Sequence, residues 1–241
     1  MLLLYRIYLC LIAIPLLTVS TLIAVLFTVT GCSLGGGRFW GYYPAKYWAK
    51  SICLLTFVRV TVKGRENITP DTPYVFVANH QGAYDIFSIY GYLRHNFRWL
   101  MKQSLRRIPF VGYACAKAHH IFVDNSTPSA TRSTVTHAEA ILARGLSVVV
   151  FPEGSRSRSG KMLKFKRGAF FLASEFNLPV VPVTIDGAHD VMPRGASLPR
   201  WGHITLTIHR PIVSEPGNFD TAKVMEESFR AIHDSLPEAL R

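Results

Sequence analysis

The stretch from Tyr74 to Asp85 reads Y-V-F-V-A-N-H-Q-G-A-Y-D. Val75 to Val77 is apolar and rich in β-branched residues, the pattern of a strand buried on both faces of a parallel sheet. The run stops at Asn79-His80, and a helical pattern begins near Ala83. His80 therefore stands where a strand hands over to a helix, the edge at which open α/β sheets bind ligands. Asp85 follows five residues later. On a straight helix that separation turns the chain by about 500°, so the two side chains would leave on different faces. They meet only if His80 precedes the helix and the chain folds back through Gln81-Gly82, where Gly82 permits a tight turn. A carboxylate on one imidazole nitrogen fixes the tautomer and leaves the other nitrogen as a base. The plainer alternative is a surface histidine and a helix-start aspartate, since acidic residues favour a first helical turn.

Around this stretch the chain alternates strand and helix signals. Strands are predicted at Arg59 to Gly64, Trp99 to Lys102, Ile121 to Val123, Leu146 to Phe151, Val180 to Ile185 and Ile204 to Ile208. Helices are predicted from Ile86 to Leu93, from Phe110 to Ala118, from Pro128 to Ala143 and from Lys166 to Phe176. Ser126 or Thr127 caps the third of these, and Gly145 stops it. A turn at Pro216-Gly217 leads to a final amphipathic helix, Thr221 to Ala239, with Asp220 as its cap. The alternation argues an α/β fold with a mostly parallel central sheet flanked by helices.

The 241 residues carry 27 Lys+Arg against 15 Asp+Glu, a net charge of +12. The isoelectric point is near 9.8 and the mean hydropathy is +0.20. Such a charge suits nucleic acid, an anionic membrane surface or phosphorylated substrates. The hydropathy favours the membrane, and stretches that interleave aromatic and basic residues to stack bases are few, so no nucleic-acid partner is expected. No zinc spacing and no Walker or dinucleotide glycine signature is present. Cys10, Cys32, Cys53 and Cys115 form no C-x-x-C pair and suggest no disulfide framework.

Ile7 to Thr30 is uncharged and long enough to span a bilayer core of about 30 Å. Pro15 is expected to kink it. A Gly-rich turn, Ser33 to Gly37, is followed by Phe39, Trp40, Tyr42, Tyr43, Tyr47 and Trp48 mixed with Lys46 and Lys50, the composition of a helix in the headgroup zone. A single crossing with Arg6 inside would place the basic domain outside, against the positive-inside tendency. The expectation is a membrane-associated helical hairpin, residues 1–58, that dips into the cytoplasmic leaflet, followed by an α/β domain, residues 59–241. A lipoprotein signal ending at Cys32 is the rival reading of the same segment.

A second constellation follows the strand that ends at Phe151: Pro152-Glu153-Gly154-Ser155-Arg156-Ser157-Arg158. Gly154 lets the backbone turn and approach a ligand. Arg156 offers a planar fork that matches phosphate or carboxylate. Glu153 is expected to hold that arginine or accept from a substrate hydroxyl. Lys102, also at a strand end, is a third cationic point. His119, His120, His137, His189, His203 and His209 have no partner spacing and read as structural. Cys115 reads as core.

With these residues in view, the sequence resembles the 1-acylglycerol-3-phosphate acyltransferases. Four ordered blocks carry the likeness: N-H-Q-G-A-Y-D at Asn79 to Asp85, I-F-V-D-N at Ile121 to Asn125, F-P-E-G-S-R-S at Phe151 to Ser157 and V-P-V at Val181 to Val183. K-Q-S-L-R-R-I-P-F-V-G at Lys102 to Gly112 matches the segment after the first block. The second block departs from the family: Asn125 stands where an arginine is usual. The resemblance implies a glycerolipid acyltransferase-like fold and membrane-bound phospholipid biosynthesis at the cytoplasmic membrane, with the catalytic domain facing the cytoplasm. It implies transfer of a fatty acyl group from an acyl carrier protein or coenzyme A thioester to the sn-2 hydroxyl of lysophosphatidic acid, giving phosphatidic acid. His80 would be the base and Asp85 its orienting partner. Glu153, Gly154, Ser155 and Arg156, with Lys102, would hold the glycerol phosphate. No cofactor and no metal are implied. Two alternatives are a related acyltransferase with another acceptor, such as lyso-ornithine lipid or glycerol 3-phosphate, and a non-catalytic basic module for anionic membrane surfaces.

Overall fold

A computed structural model of the chain describes residues 1–123, 127–214 and 219–241. The expected Asp-Asn ending of the second block, the Ser126 cap and the Pro216-Gly217 turn lie outside the described residues. The chain begins with helix α1 (Leu2–Tyr8), a wide π-turn (Leu9–Ala13) and α2 (Ile14–Ser33), which together form one helix of 32 residues. The π-turn ends just before Pro15. Pro15 supplies no N–H to the ladder, and a locally wider turn is one way a helix absorbs that loss. Then come α3 (Gly37–Trp40), α4 (Tyr43–Leu55), β1 (Val58–Lys63), β2 (Val75–Ala78), α5 (Tyr84–Tyr92), β3 (Phe97–Lys102), α6 (Val111–Lys117) and β4 (Ile121–Val123). The remainder is α7 (Pro128–Leu142), β5 (Ser147–Val150), α8 (Gly168–Glu175), β6 (Val180–Asp186), α9 (Ala188–Val191), β7 (Gly202–Ile208) and α10 (Thr221–Ser235).

The seven strands form one sheet in the order β1-β7-β6-β2-β5-β3-β4. All neighbours are parallel except β6 and β7. The central strands β2 and β5 are buried along their whole length, as continuous apolar runs require. Edge strand β1 and its neighbour β7 instead alternate buried and exposed positions, so one of their faces is solvated. Phe76 and Ala78 pack with α4 and α5 on one face of the sheet. Val75 and Val77 pack with α8 and α10 on the other. The mostly parallel sheet with helices on both faces is the architecture expected from the strand–helix alternation.

One expected boundary moves. The last helix stops at Ser235, where Pro237 cannot continue it, and a separate 3-10 turn covers Glu238–Leu240. Asp220 does cap it, accepting from Ala222 N and Lys223 N at 3.0 Å each. The N-terminal segment does form a hairpin, α1–α2 returning through α3 and α4, and its second arm joins the main core through Ala49, Ile52 and Cys53. The first arm lies along the domain. Near its start, Tyr5 donates to Thr56 O at 2.9 Å and meets Trp201 edge-on at 4.8 Å. Near its end, Phe27 stacks on Trp40. In between, Trp48 Nε1 donates to Thr21 Oγ1 at 2.8 Å. The opposite face is bare and apolar: Leu11 is 72% exposed and Leu26 59%.

Candidate active site

At the end of β2 the side chain of Asn79 takes over from the backbone. It accepts from Ile185 N and donates to Ile185 O, both at 2.8 Å, so it extends the pairing of β2 with β6 by one residue. The main chain is thereby free to turn out of the sheet at His80. The His80 N–H donates to Glu153 Oε1 at 2.7 Å, and its carbonyl accepts from Ser157 N at 2.9 Å. The loop after β5 therefore grips the backbone of His80 on both sides.

The imidazole lies flat on Phe151, with ring centroids 3.9 Å apart and planes at 8°. Phe151 in turn stacks on Trp99. His80 Nδ1 is 2.8 Å from Asp85 Oδ2. A carboxylate only accepts, so Nδ1 carries the hydrogen. That leaves Nε2 as the basic nitrogen, and it has no hydrogen-bond partner among the described residues. The Asp85 side chain is fully buried, whereas that of His80 is 13% exposed. Asp85 Oδ2 also accepts from Gln81 N at 2.7 Å and Gly82 N at 2.9 Å. The two readings of this aspartate thus coexist: it caps the turn into α5, and it orients His80.

Gly82 is required here for space rather than for an unusual dihedral. A Cβ at this position would sit 2.4 Å from Ala188 O and 2.9 Å from Met192 O. The turn is pressed against the backbone that follows β6, where Ala83 N also donates to Met192 O at 3.1 Å.

Glu153 is placed differently from its expected role beside Arg156. It is buried, and both oxygens face backbone: Oε1 accepts from His80 N, and Oε2 from Leu163 N at 2.8 Å. Among the described residues it makes no ion pair with Arg156. Burial pushes its carboxyl up to about 7, against the two backbone N–H groups that favour the charged form. Gly154 turns with φ +76°, and Gly154 and Ser155 are exposed. Arg156 is half-buried; its carbonyl accepts from Arg194 Nη1 at 3.1 Å, and its guanidinium has no partner among the described residues. Lys102 is exposed at the carboxyl end of β3, two strands from β2 on the same sheet edge.

The His80–Asp85 pair and the Gly154–Arg156 loop are thus joined by direct backbone bonds, with Lys102 on the same edge. Among the described residues, Glu226–Arg230 is the one ion pair between a carboxylate and a lysine or arginine. Arg156, Arg158, Lys161, Lys164, Lys166, Arg167 and Arg194 therefore surround the loop as a field with no carboxylate partner. No three His, Cys, Asp or Glu side chains converge as metal donors among the described residues. The histidines read as structural include three with local partners: His120 with Tyr90, His203 with Thr61 and His209 with Thr184. Sequence reasoning passed over Asn79, Gln81, Phe151 and Arg194. Gln81 is buried and ties the turn to Gly160 O at 2.8 Å. Asn79 carried a signal, an amide directly after a buried strand; Arg194 carried none.

Comparison with known proteins bears on this edge directly. The acyltransferase family model matches residues 59–186, from the second residue of β1 to the end of β6, and includes His80, Asp85, Lys102 and Glu153 to Arg156. The chain is 35% identical over 186 residues to a 1-acyl-sn-glycerol-3-phosphate acyltransferase of Chlamydomonas reinhardtii, covering 76% of this chain and 55% of that protein. It is 33% identical over 177 residues to a chloroplastic 1-acyl-sn-glycerol-3-phosphate acyltransferase of Arabidopsis thaliana, covering 73% and 49%. The chain spans about half the length of the curated relatives it matches. The crystal structure of the 1-acyl-sn-glycerophosphate (LPA) acyltransferase PlsC from Thermotoga maritima superposes with a TM-score of 0.79 at 28% identity, covering 96% of this chain and 93% of that one. With the family model spanning more than half of its length, the chain belongs to the acyltransferase family.

Proposed function

We propose that the protein transfers a fatty acyl group from a thioester, carried on acyl carrier protein or coenzyme A, to the sn-2 hydroxyl of lysophosphatidic acid. The observation that carries this reading is His80 Nε2, left basic by the Nδ1–Asp85 bond and bonded through its backbone to the unpaired cationic loop. The acceptor hydroxyl gives its proton to Nε2 as its oxygen attacks the thioester carbonyl carbon. The tetrahedral intermediate collapses with cleavage of the C–S bond. The departing thiolate recovers the proton from Nε2, leaving an ester and a free thiol. Asp85 holds the ring and stabilises the transient imidazolium. Both substrates are bound together, so positioning supplies part of the acceleration without an acyl-enzyme. Arg156, Ser155 and the Gly154 backbone, with Lys102, receive the acceptor's phosphate. Glu153 acts from beneath by fixing the His80 main chain.

The bare apolar face of α1–α2 fits insertion into a membrane leaflet. The helix is about 48 Å long, more than a bilayer core of about 30 Å. It packs on the domain near both ends, through Tyr5 on Trp201 and through α2 against α6, and an upright crossing would drag that domain through the bilayer. A hairpin dipping into the cytoplasmic leaflet avoids this, and lets a one-chain lipid reach the site from the membrane. The test is thiol release from an acyl thioester by purified protein, with lysophosphatidic acid, glycerol 3-phosphate and lyso-ornithine lipid compared side by side. The proposal expects lysophosphatidic acid to give the highest kcat/KM; preference for either rival acceptor would reassign the substrate.

A further inference from the structure

The amino edge of the sheet, opposite the strand ends that carry His80, holds a second concentration of positive charge. A cavity of about 270 Å³ lies there between the hairpin turn, β3 and the loop before β5. Arg38, Arg98, His119 and Arg144 line it, with Cys32 on the hairpin side. Arg98 is only 1% exposed. Its Nη1 donates to Asn96 Oδ1 at 2.9 Å and to Phe97 O at 2.8 Å, and its Nη2 donates to Gly37 O at 2.7 Å. All three acceptors are neutral. The Nε–H is buried and has no acceptor among the described residues. Arg38, Arg98 and Arg144 have no carboxylate partner among the described residues either.

A buried guanidinium without a counter-ion is unfavourable, because desolvation is not offset by an opposite charge. The arrangement becomes favourable once an anion enters. Three arginines line this one cavity, Arg38 Nη1 also donating to Arg144 O at 3.3 Å, and guanidinium donors match the several oxygens of a phosphate better than a lone carboxylate. His119 reports the same field: its pKa is lowered by burial first, then by Arg144 and Arg98. The neighbouring hairpin turn exposes apolar surface, Leu34 at 88% and Phe39 at 50%. We propose that this cavity is a second phosphate-binding site, separate from the catalytic edge, whose occupant is a phospholipid headgroup or free phosphate.

Cys32 on the cavity wall gives a local readout, and exposed Cys10, far along the same helix, gives an internal reference. The full chain in uncharged detergent micelles is treated with N-ethylmaleimide, and each cysteine is followed by peptide mass spectrometry. Inorganic phosphate is compared with chloride at equal ionic strength, and micelles doped with phosphatidic acid are compared with micelles doped with diacylglycerol. The expected result is slower labelling of Cys32, by about tenfold when the ligand is at ten times its dissociation constant, with Cys10 unchanged. Protection by both ligands, by phosphatidic acid alone or by phosphate alone supports the site and identifies the source. The double variant Arg38→Gln/Arg144→Gln, and the milder Arg38→Gln, should lose or weaken that protection. Equal Cys32 rates in all four conditions, or protection that survives both substitutions, would overturn the proposal.

Discussion

Glu153 shows how one side chain can brace a site through main-chain bonds. Its two oxygens hold the backbones of His80 and Leu163. Burial raises its pKa from an ordinary 4.5 to about 7. A raised carboxyl contributes stability that is complete below the unfolded value and is lost as pH rises through the folded value. The full effect is about 3 kcal/mol. Glu153→Gln removes the titration but loses one of the two backbone acceptors. The variant should therefore be the less stable protein near pH 5, and its deficit should shrink as the pH rises to about 7 and level off above it. Thermal unfolding of both proteins across that range checks this; a deficit that does not change with pH would show that Glu153 is not titrating. Arg156 belongs to the same scale. Its free guanidinium is assigned to the acceptor phosphate, so Arg156→Ala should raise KM for lysophosphatidic acid about 10- to 100-fold while changing kcat less. An unchanged KM would remove Arg156 from the phosphate site.

At the level of elements, the site is a strand end locked to its neighbours. Asn79 fastens it to β6, Glu153 and Ser157 fasten it to the loop after β5, and Gly82 lets the turn press on the start of α9 and the residue after it. Gly82→Ala would set a Cβ 2.4 Å from a carbonyl oxygen. It should cost about 1–3 kcal/mol, seen as a fall in Tm of about 2–4 °C per kcal/mol; an unchanged Tm would show that the turn relaxes freely. Much of this is legible in the sequence. The strand from Val75, the turn before Asp85 and the glycine turn after Phe151 are local patterns, readable because periodicity and turn chemistry act over a few residues. The partners were not legible. Ile185 lies 106 residues from Asn79 and Glu153 lies 73 from His80, and no local pattern reports which strand ends become neighbours in a parallel sheet. Local pattern points Glu153 toward Arg156, its neighbour in sequence, or toward a substrate hydroxyl, whereas its hydrogen-bond partners are the backbones of His80 and Leu163.

For the whole molecule, the uncharged N-terminal run and the +12 charge point to a membrane from composition alone. Composition does not show that the first helix packs along the domain near both ends, because that depends on Tyr5, Leu9 and Ala13 near one end and Thr28 and Gly31 near the other finding their complements. A hairpin dipping into the cytoplasmic leaflet places its exposed turn within reach of that side only. Leu34→Cys should react with a membrane-impermeant maleimide in inverted vesicles and not in intact cells; reaction in intact cells would mean that the turn emerges on the far side. The central claim is that His80, oriented by Asp85, takes the proton of the attacking hydroxyl. It is tested most directly by lysophosphatidate-dependent thiol release in wild-type protein and in His80→Ala with its fold checked by circular dichroism. The account predicts a loss of at least about 10²-fold in kcat with the fold intact. Near-normal turnover in the variant would contradict it.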